Sequence, residues 1–114
     1  MRTFESGATR DDDVDKLDFD GFLSPLALRR FAEYMHKHRV QADGKLRESD
    51  NWQRAIPQSA YMKSAWRHFM TWWEQHWAEE NWAPASDEEL EEALCALLFN
   101  TQGYLHELLK RKRA

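Results

Sequence analysis

Cysteine is nearly missing from this sequence: Cys95 stands alone among 114 residues. A single thiol excludes an intramolecular disulfide framework and a Cys-rich zinc site. Four glycines and three prolines are too few for a turn-rich all-β fold. No apolar run reaches the roughly 18 residues of a membrane-spanning helix, so no membrane partner is expected. Met1-Arg2-Thr3-Phe4-Glu5 leads into no apolar stretch of signal-peptide kind. Net positive charge is missing too, with a formal charge of −4. A general nucleic-acid binder needs a basic face for phosphates, so nucleic acid is not an expected partner. The basic run Lys110-Arg111-Lys112-Arg113 lies where cations suit the C-terminal end of a helix. The expectation is a soluble cytoplasmic protein.

Aromatic residues, by contrast, are plentiful. Six tryptophans occur, most of them between Trp66 and Trp82. Such a concentration needs a core, a partner or a flat ligand to cover it. With 42% hydrophobic and 32% charged residues, the chain has the composition of one folded domain, 1–114.

Apolar periodicity predicts an all-α fold of three principal helices. Residues 1–22 read as an irregular N-terminal arm, in which Asp11, Asp12, Asp13 and Asp15 repel one another and Phe4, Phe19 and Phe22 offer anchors. Ser24-Pro25 reads as N-cap and first turn of a helix over 25–39, with Leu28, Phe31, Ala32 and Met35 as its apolar stripe. Arg29, Glu33 and Lys37 can pair at i,i+4 on its far side. Residues 40–57 form a long polar loop with turn signals at Asp43-Gly44 and Ser49-Asp50-Asn51, anchored by Trp52 and Ile56. Loops of that length often carry function. A second helix spans 58–82, with Met62, Ala65, Trp66, Phe69, Met70, Trp73 and Trp77 in a wide apolar arc. Ala83-Pro84-Ala85 interrupts the chain, and Ser86 with Glu89 fits a capping box for a third helix over 86–110. Its stripe runs through Leu90, Leu94, Leu97, Leu98, Leu105 and Leu108. Faces this broad imply completion by oligomerisation, making a homo-oligomer the expected state.

On the third helix Glu89, Ala93, Ala96, Asn100, Gly103 and Glu107 share one flank of the leucine stripe. The small residues there would admit a close neighbour. Glu89, Glu92 and Asn100 could face a ligand or metal, or could be a cap, a dipole-favoured first turn and one hydrogen-bonded amide. Glu88 to Glu92 carries an EExxE spacing, which can hold Mg²⁺ beside a diphosphate. His68, with Arg67 beside it, could meet a phosphate, a base or a carboxylate, or be a structural histidine. His76 and Glu80 share a face but make only two ligands, and Glu33 with His36 could act together at i,i+3. Cys95 has no base in view, and neither a glycine-rich phosphate loop nor a G-x-S-x-G elbow occurs.

Several stretches together resemble a phage and bacterial family, dATP/dGTP diphosphohydrolase, N-terminal. They are Glu5-Ser6-Gly7-Ala8-Thr9-Arg10-Asp11 with Lys16 and Asp18, Leu23-Ser24-Pro25, Asn51-Trp52, Arg67-His68 with Trp72-Trp73, and Ala96 to Asn100. The resemblance implies a link to MazG-like pyrophosphohydrolases. These are all-α, usually oligomeric enzymes in which helix-borne carboxylates bind Mg²⁺ or Mn²⁺. They split a nucleoside triphosphate into monophosphate and pyrophosphate. On that reading Glu33, Glu89 and Glu92 are the metal ligands, and Glu89, Glu92 and His68 are catalytic. Arg67 and His36 would face phosphate, Asn100 would orient a group, and Trp52 with Asn51 would hold a base. The MazG scheme also uses a later ExxD pair, but no Asp follows Asp87. That departure keeps a second reading open: a non-catalytic phage protein that binds a nucleotide or a host protein, as anti-defence proteins do, in the cytoplasm of the infected bacterium. A structural scaffold module is a third.

Overall fold

A computed structural model describes residues 2–10, 14–81 and 86–113. The N-terminal arm is more ordered than its composition suggests. Strands β1 (Arg2–Thr3) and β2 (Thr9–Arg10) pair antiparallel, with Arg2 opposite Arg10 and Thr3 opposite Thr9. Gly7 makes the turn at φ 87°, a backbone conformation that costs glycine little. A short helix α1 (Phe19–Phe22) follows, capped by the Asp18 carboxylate on the Gly21 N–H at 2.8 Å. Phe4, Phe19 and Phe22 are all exposed, so they do not anchor the arm in the core as expected. Asp11, Asp12 and Asp13 lie outside the described residues.

Helix α2 (Pro25–Lys37) starts as the sequence predicts: Ser24 Oγ accepts from the Ala27 N–H at 3.0 Å and Pro25 occupies the first turn. It ends two residues before the expected boundary, with His38 as C-cap. Phe31 is buried, whereas Leu28 and Ala32 of the expected stripe are exposed. Lys37 reaches Glu92 on another helix in a salt bridge of 2.5 Å.

The long loop contains a tight reversal. Val40 and Leu46 form an antiparallel bridge, and Gly44 at φ 82° sits in the Asp43-Gly44 turn that the sequence signals. A 3-10 turn over Asn51–Gln53 leads into helix α3 (Gln58–Glu80). Trp52 and Ile56 are half-buried and anchor the segment, as expected. The predicted end of this helix at Trp82 lies outside the described residues. Helix α4 (Asp87–Arg113) runs three residues beyond its predicted end, so Lys110 to Arg113 form its last turn. The capping box at its start is only half made. Ser86 Oγ accepts from the Glu89 N–H at 3.2 Å, but the Ser86 N–H donates to Gln75 Oε1 at 2.8 Å. The Gln75 amide also donates to Glu89 Oε2 at 3.0 Å, so one α3 side chain ties down the start of α4.

The core lies in the seams that α4 makes with its neighbours. Along α3 the seam is built from small and polar residues: Ala93, Ala96, Asn100 and Gly103 of α4 are buried. Asn100, only 3% exposed, donates to Ser64 Oγ at 3.2 Å and to the Ala96 carbonyl at 2.7 Å. Gly103 is required there, because any Cβ would overlap the Tyr61 ring. Tyr61 is 2% exposed, makes an edge contact with Phe99 at 5.8 Å, and donates its hydroxyl to the Trp52 carbonyl at 3.2 Å. Helix α2 packs on a second side of α4 through Phe31, with Arg30 paired to Glu91 at 2.7 Å. The broad apolar faces lie elsewhere. Met62, Trp66, Phe69, Met70, Trp73 and Trp77 of α3 are exposed, as are Leu94, Leu98 and Leu105 of α4. No helix among the described residues is long and apolar enough to cross a membrane.

Candidate functional site

The C-terminal half of α2, the reversed loop, the 3-10 turn and the middle of α4 border a half-open cavity of about 750 Å³. That volume lies within the range of small-molecule sites. Phe31, Met35, Trp52, Ile56 and Phe99 give it apolar walls. His36, His38, Arg39 and Arg47 line it with basic groups, against the single carboxylate of Glu48. Asn51 and Gln102 add amides, each able to donate and accept. The loop reversal accounts for the placement of the two arginines, since the Val40–Leu46 bridge brings Arg39 and Arg47 opposite each other. The Arg47 N–H donates to the Arg39 carbonyl at 2.8 Å, and Arg39 Nε donates to the Arg47 carbonyl at 2.8 Å. The Arg47 guanidinium makes a long contact of 3.5 Å with the His38 carbonyl. Arg39 therefore holds the hairpin closed, and Arg47 is the looser of the two cations. Such a cavity suits a flat, largely apolar body that carries an anionic group.

Of the residues predicted from sequence, Asn51, Trp52 and His36 line this cavity; Glu33, Arg67, His68, Glu89, Glu92 and Asn100 do not. Trp52 is fixed by an edge contact with His106 at 4.9 Å and through its carbonyl by Tyr61. Asn100 spends its amide N–H groups between α3 and α4. The Glu89 N–H donates to the Ser86 cap, and its carboxylate accepts from the Gln75 amide. His76 pairs with Glu80 at 3.1 Å on the exposed side of α3.

Glu92 belongs to a second cluster just behind the cavity wall. Lys37 bonds its Oε1, while its Oε2 is buried without a hydrogen bond, 3.9 Å from His38 Nε2. The Lys37 hydrogen bond, helped by the charges of Lys37, Arg30 and His38, holds the Glu92 carboxyl below the usual carboxylate range against the opposing effect of burial. His38 stacks at a tilt on Tyr34 with ring centroids 4.4 Å apart. Burial, and then the charges of Arg67 and His38, push the His68 imidazole below its ordinary value, favouring the neutral form. Burial raises the Cys95 thiol, so it has no activated-nucleophile character.

These two shifts contribute to the pH response of the fold. His68 resists protonation when folded and accepts a proton freely when unfolded. Its contribution is therefore present above its ordinary value of 6.5 and is lost as pH falls below it. Glu92, also depressed in the folded chain, adds a further loss as pH falls below 4.5. Chemical denaturation at a series of pH values is expected to show stability declining below pH 6.5, with a shallower decline for His68→Gln.

Among the described residues no three His, Cys, Asp or Glu side chains are placed to hold one metal ion. The described residues thus do not present a ready-made ligand set for Mg²⁺ or Mn²⁺, and with Lys37 on Glu92 one of the expected ligands already has a cationic partner.

Sequence reasoning missed Arg39, Arg47, His38, Phe99 and Gln102. A signal for the arginines was present, because Arg39-Val40 and Leu46-Arg47 bracket an Asp-Gly turn almost symmetrically, as paired strands do. No curated protein and no solved structure gives a significant match to the chain. A family does match, over residues 6–112, nearly the whole length. The chain belongs to the family dATP/dGTP diphosphohydrolase, N-terminal.

Proposed function

We propose that this chain binds a purine deoxynucleoside triphosphate in the cavity beside α2 and serves its cleavage to monophosphate and pyrophosphate. One observation carries the reading: apolar and aromatic walls around Trp52 meet His36, His38, Arg39 and Arg47 in a single cavity of nucleotide size. The base would lie against Trp52 and Phe99, with Asn51 and Gln102 available to its polar edge. The phosphates would lie toward Arg47, whose planar fork matches phosphate oxygens in pairs. The family to which the chain belongs supports the substrate class. Mg²⁺ or Mn²⁺ is the expected cofactor of the cleavage, but among the described residues no set of carboxylates converges, so we assign no chemical step to them.

A second reading has its own support. Glu89, Glu91 and Glu92 are already engaged by Gln75, Arg30 and Lys37, which suits a protein that holds a nucleotide without turning it over. A phage protein sequestering a nucleotide in its host's cytoplasm would need nothing more, and a host protein is the alternative target in that setting. Incubating the purified protein with each dNTP and NTP plus Mg²⁺ or Mn²⁺, followed by chromatography, separates the readings. Monophosphate with pyrophosphate, lost in Arg47→Ala, is the result expected of the hydrolase. Intact nucleotide, recovered when the protein is denatured, marks the binder. Neither product nor bound nucleotide under any condition would overturn both.

A further inference from the structure

We propose that the exposed aromatic stripe of α3 is the interface of an antiparallel, two-fold symmetric homodimer. Helix α3 meets α4 through Tyr61, Ser64 and Gln75. At about 100° per residue, Met62, Trp66, Phe69, Met70, Trp73 and Trp77 point to the other side. They are 39–62% exposed. At the large contact areas of such side chains, this stripe offers about 600 Å² per copy before any flanking area is added. A lone apolar patch of that size is at the upper limit for a monomer. It approaches the roughly 800 Å² per partner of a stable interface. The chain is also open for its length. Its radius of gyration is 19.3 Å, where a compact chain of this size has about 13 Å.

Residue order along the stripe favours a second copy over a foreign chain. Placed antiparallel about an axis between Phe69 and Met70, Met62 meets the partner's Trp77, Trp66 meets the partner's Trp73, and Phe69 meets the partner's Met70. Every apolar position thus finds an apolar position, as an isologous contact requires. The flanks match as well, because such an axis sets each flank against itself. On one flank the partner's Glu74 falls between Lys63 and Arg67, all of them exposed. On the other, the small Ala65 faces the partner's Trp72. The proposal is independent of what occupies the cavity.

Sedimentation equilibrium over a wide concentration range tests it. The wild-type chain is expected at twice its 13.6 kDa mass, with tryptophan emission shifting to the red as dilution exposes the stripe. Trp73→Glu should sediment as a monomer with its helical circular dichroism kept, while Leu105→Glu, on the exposed side of α4, should remain dimeric. Glu74→Lys should raise the dissociation constant about tenfold, and adding Lys63→Glu with Arg67→Glu should restore it, a readout that does not depend on the stripe variant folding. A monomeric wild type, a dimer that survives Trp73→Glu, or a dimer broken by Leu105→Glu alone would each overturn the proposal.

Discussion

Replacing Arg39 and Arg47 together with alanine is expected to lower the affinity for a purine deoxynucleoside triphosphate by about 10² to 10⁴-fold. Each charged hydrogen bond to phosphate contributes about 1.5–3 kcal/mol, and each 1.4 kcal/mol is a factor of ten. The two single variants should differ in kind. Arg47 spends little of its guanidinium on the protein, so Arg47→Ala should weaken binding with little change in stability. Arg39 holds the Arg47 carbonyl, so Arg39→Ala should also loosen the hairpin. Isothermal titration calorimetry with a non-hydrolysable dATP or dGTP analogue, beside thermal melts, reads both effects. Unchanged affinity in the double variant would remove the cavity from consideration as the phosphate site.

The largest stability effect is expected at Tyr61. It is the most buried large side chain among the described residues, it fills the space that Gly103 leaves open, and its hydroxyl donates to the Trp52 carbonyl. Truncating an aromatic residue in such a position costs about 3–5 kcal/mol, a large part of the 5–15 kcal/mol that holds a small domain folded. Tyr61→Ala should therefore melt far below the wild type. Tyr61→Phe keeps the packing and loses only the hydroxyl bond, at about 1 kcal/mol. Because that bond fixes the backbone of Trp52, Tyr61→Phe should also weaken nucleotide binding measurably, although Tyr61 does not line the cavity. Equal affinity for Tyr61→Phe and wild type would mean that Trp52 is placed by its His106 contact alone.

Much of the local structure was legible in the sequence. Ser24-Pro25 marked the start of α2, Asp43-Gly44 marked the loop reversal, and Ser86 marked the start of α4. The cluster of cations after Leu109 belonged to a helix end, as the dipole argument has it. Caps, turns and helix lengths depend on residues a few positions apart, so short-range chemistry was enough. Half of the capping box at Ser86 failed for the complementary reason. Gln75, eleven residues away, took the Ser86 N–H, and a local pattern carries no information about a competitor from another helix.

The sequence by itself determined that this is a chain of three principal helices with a structured loop between the first and the second. Only the tertiary structure decided which faces those helices bury. Periodicity locates apolar stripes and assigns them to the core. The α3–α4 seam instead uses Ala93, Ala96, Asn100 and Gly103, because small side chains let two helix backbones approach while a paired amide and serine satisfy the polar groups between them. The α3 tryptophans and Leu94, Leu98 and Leu105 then remain outside, while Leu90, Leu97 and Leu108 are half-buried. The cavity was decided at the same level. Arg39 and Arg47 become neighbours only when Val40 pairs with Leu46, and Trp52 joins Phe99 in lining the cavity only when Tyr61 has locked the loop to α3.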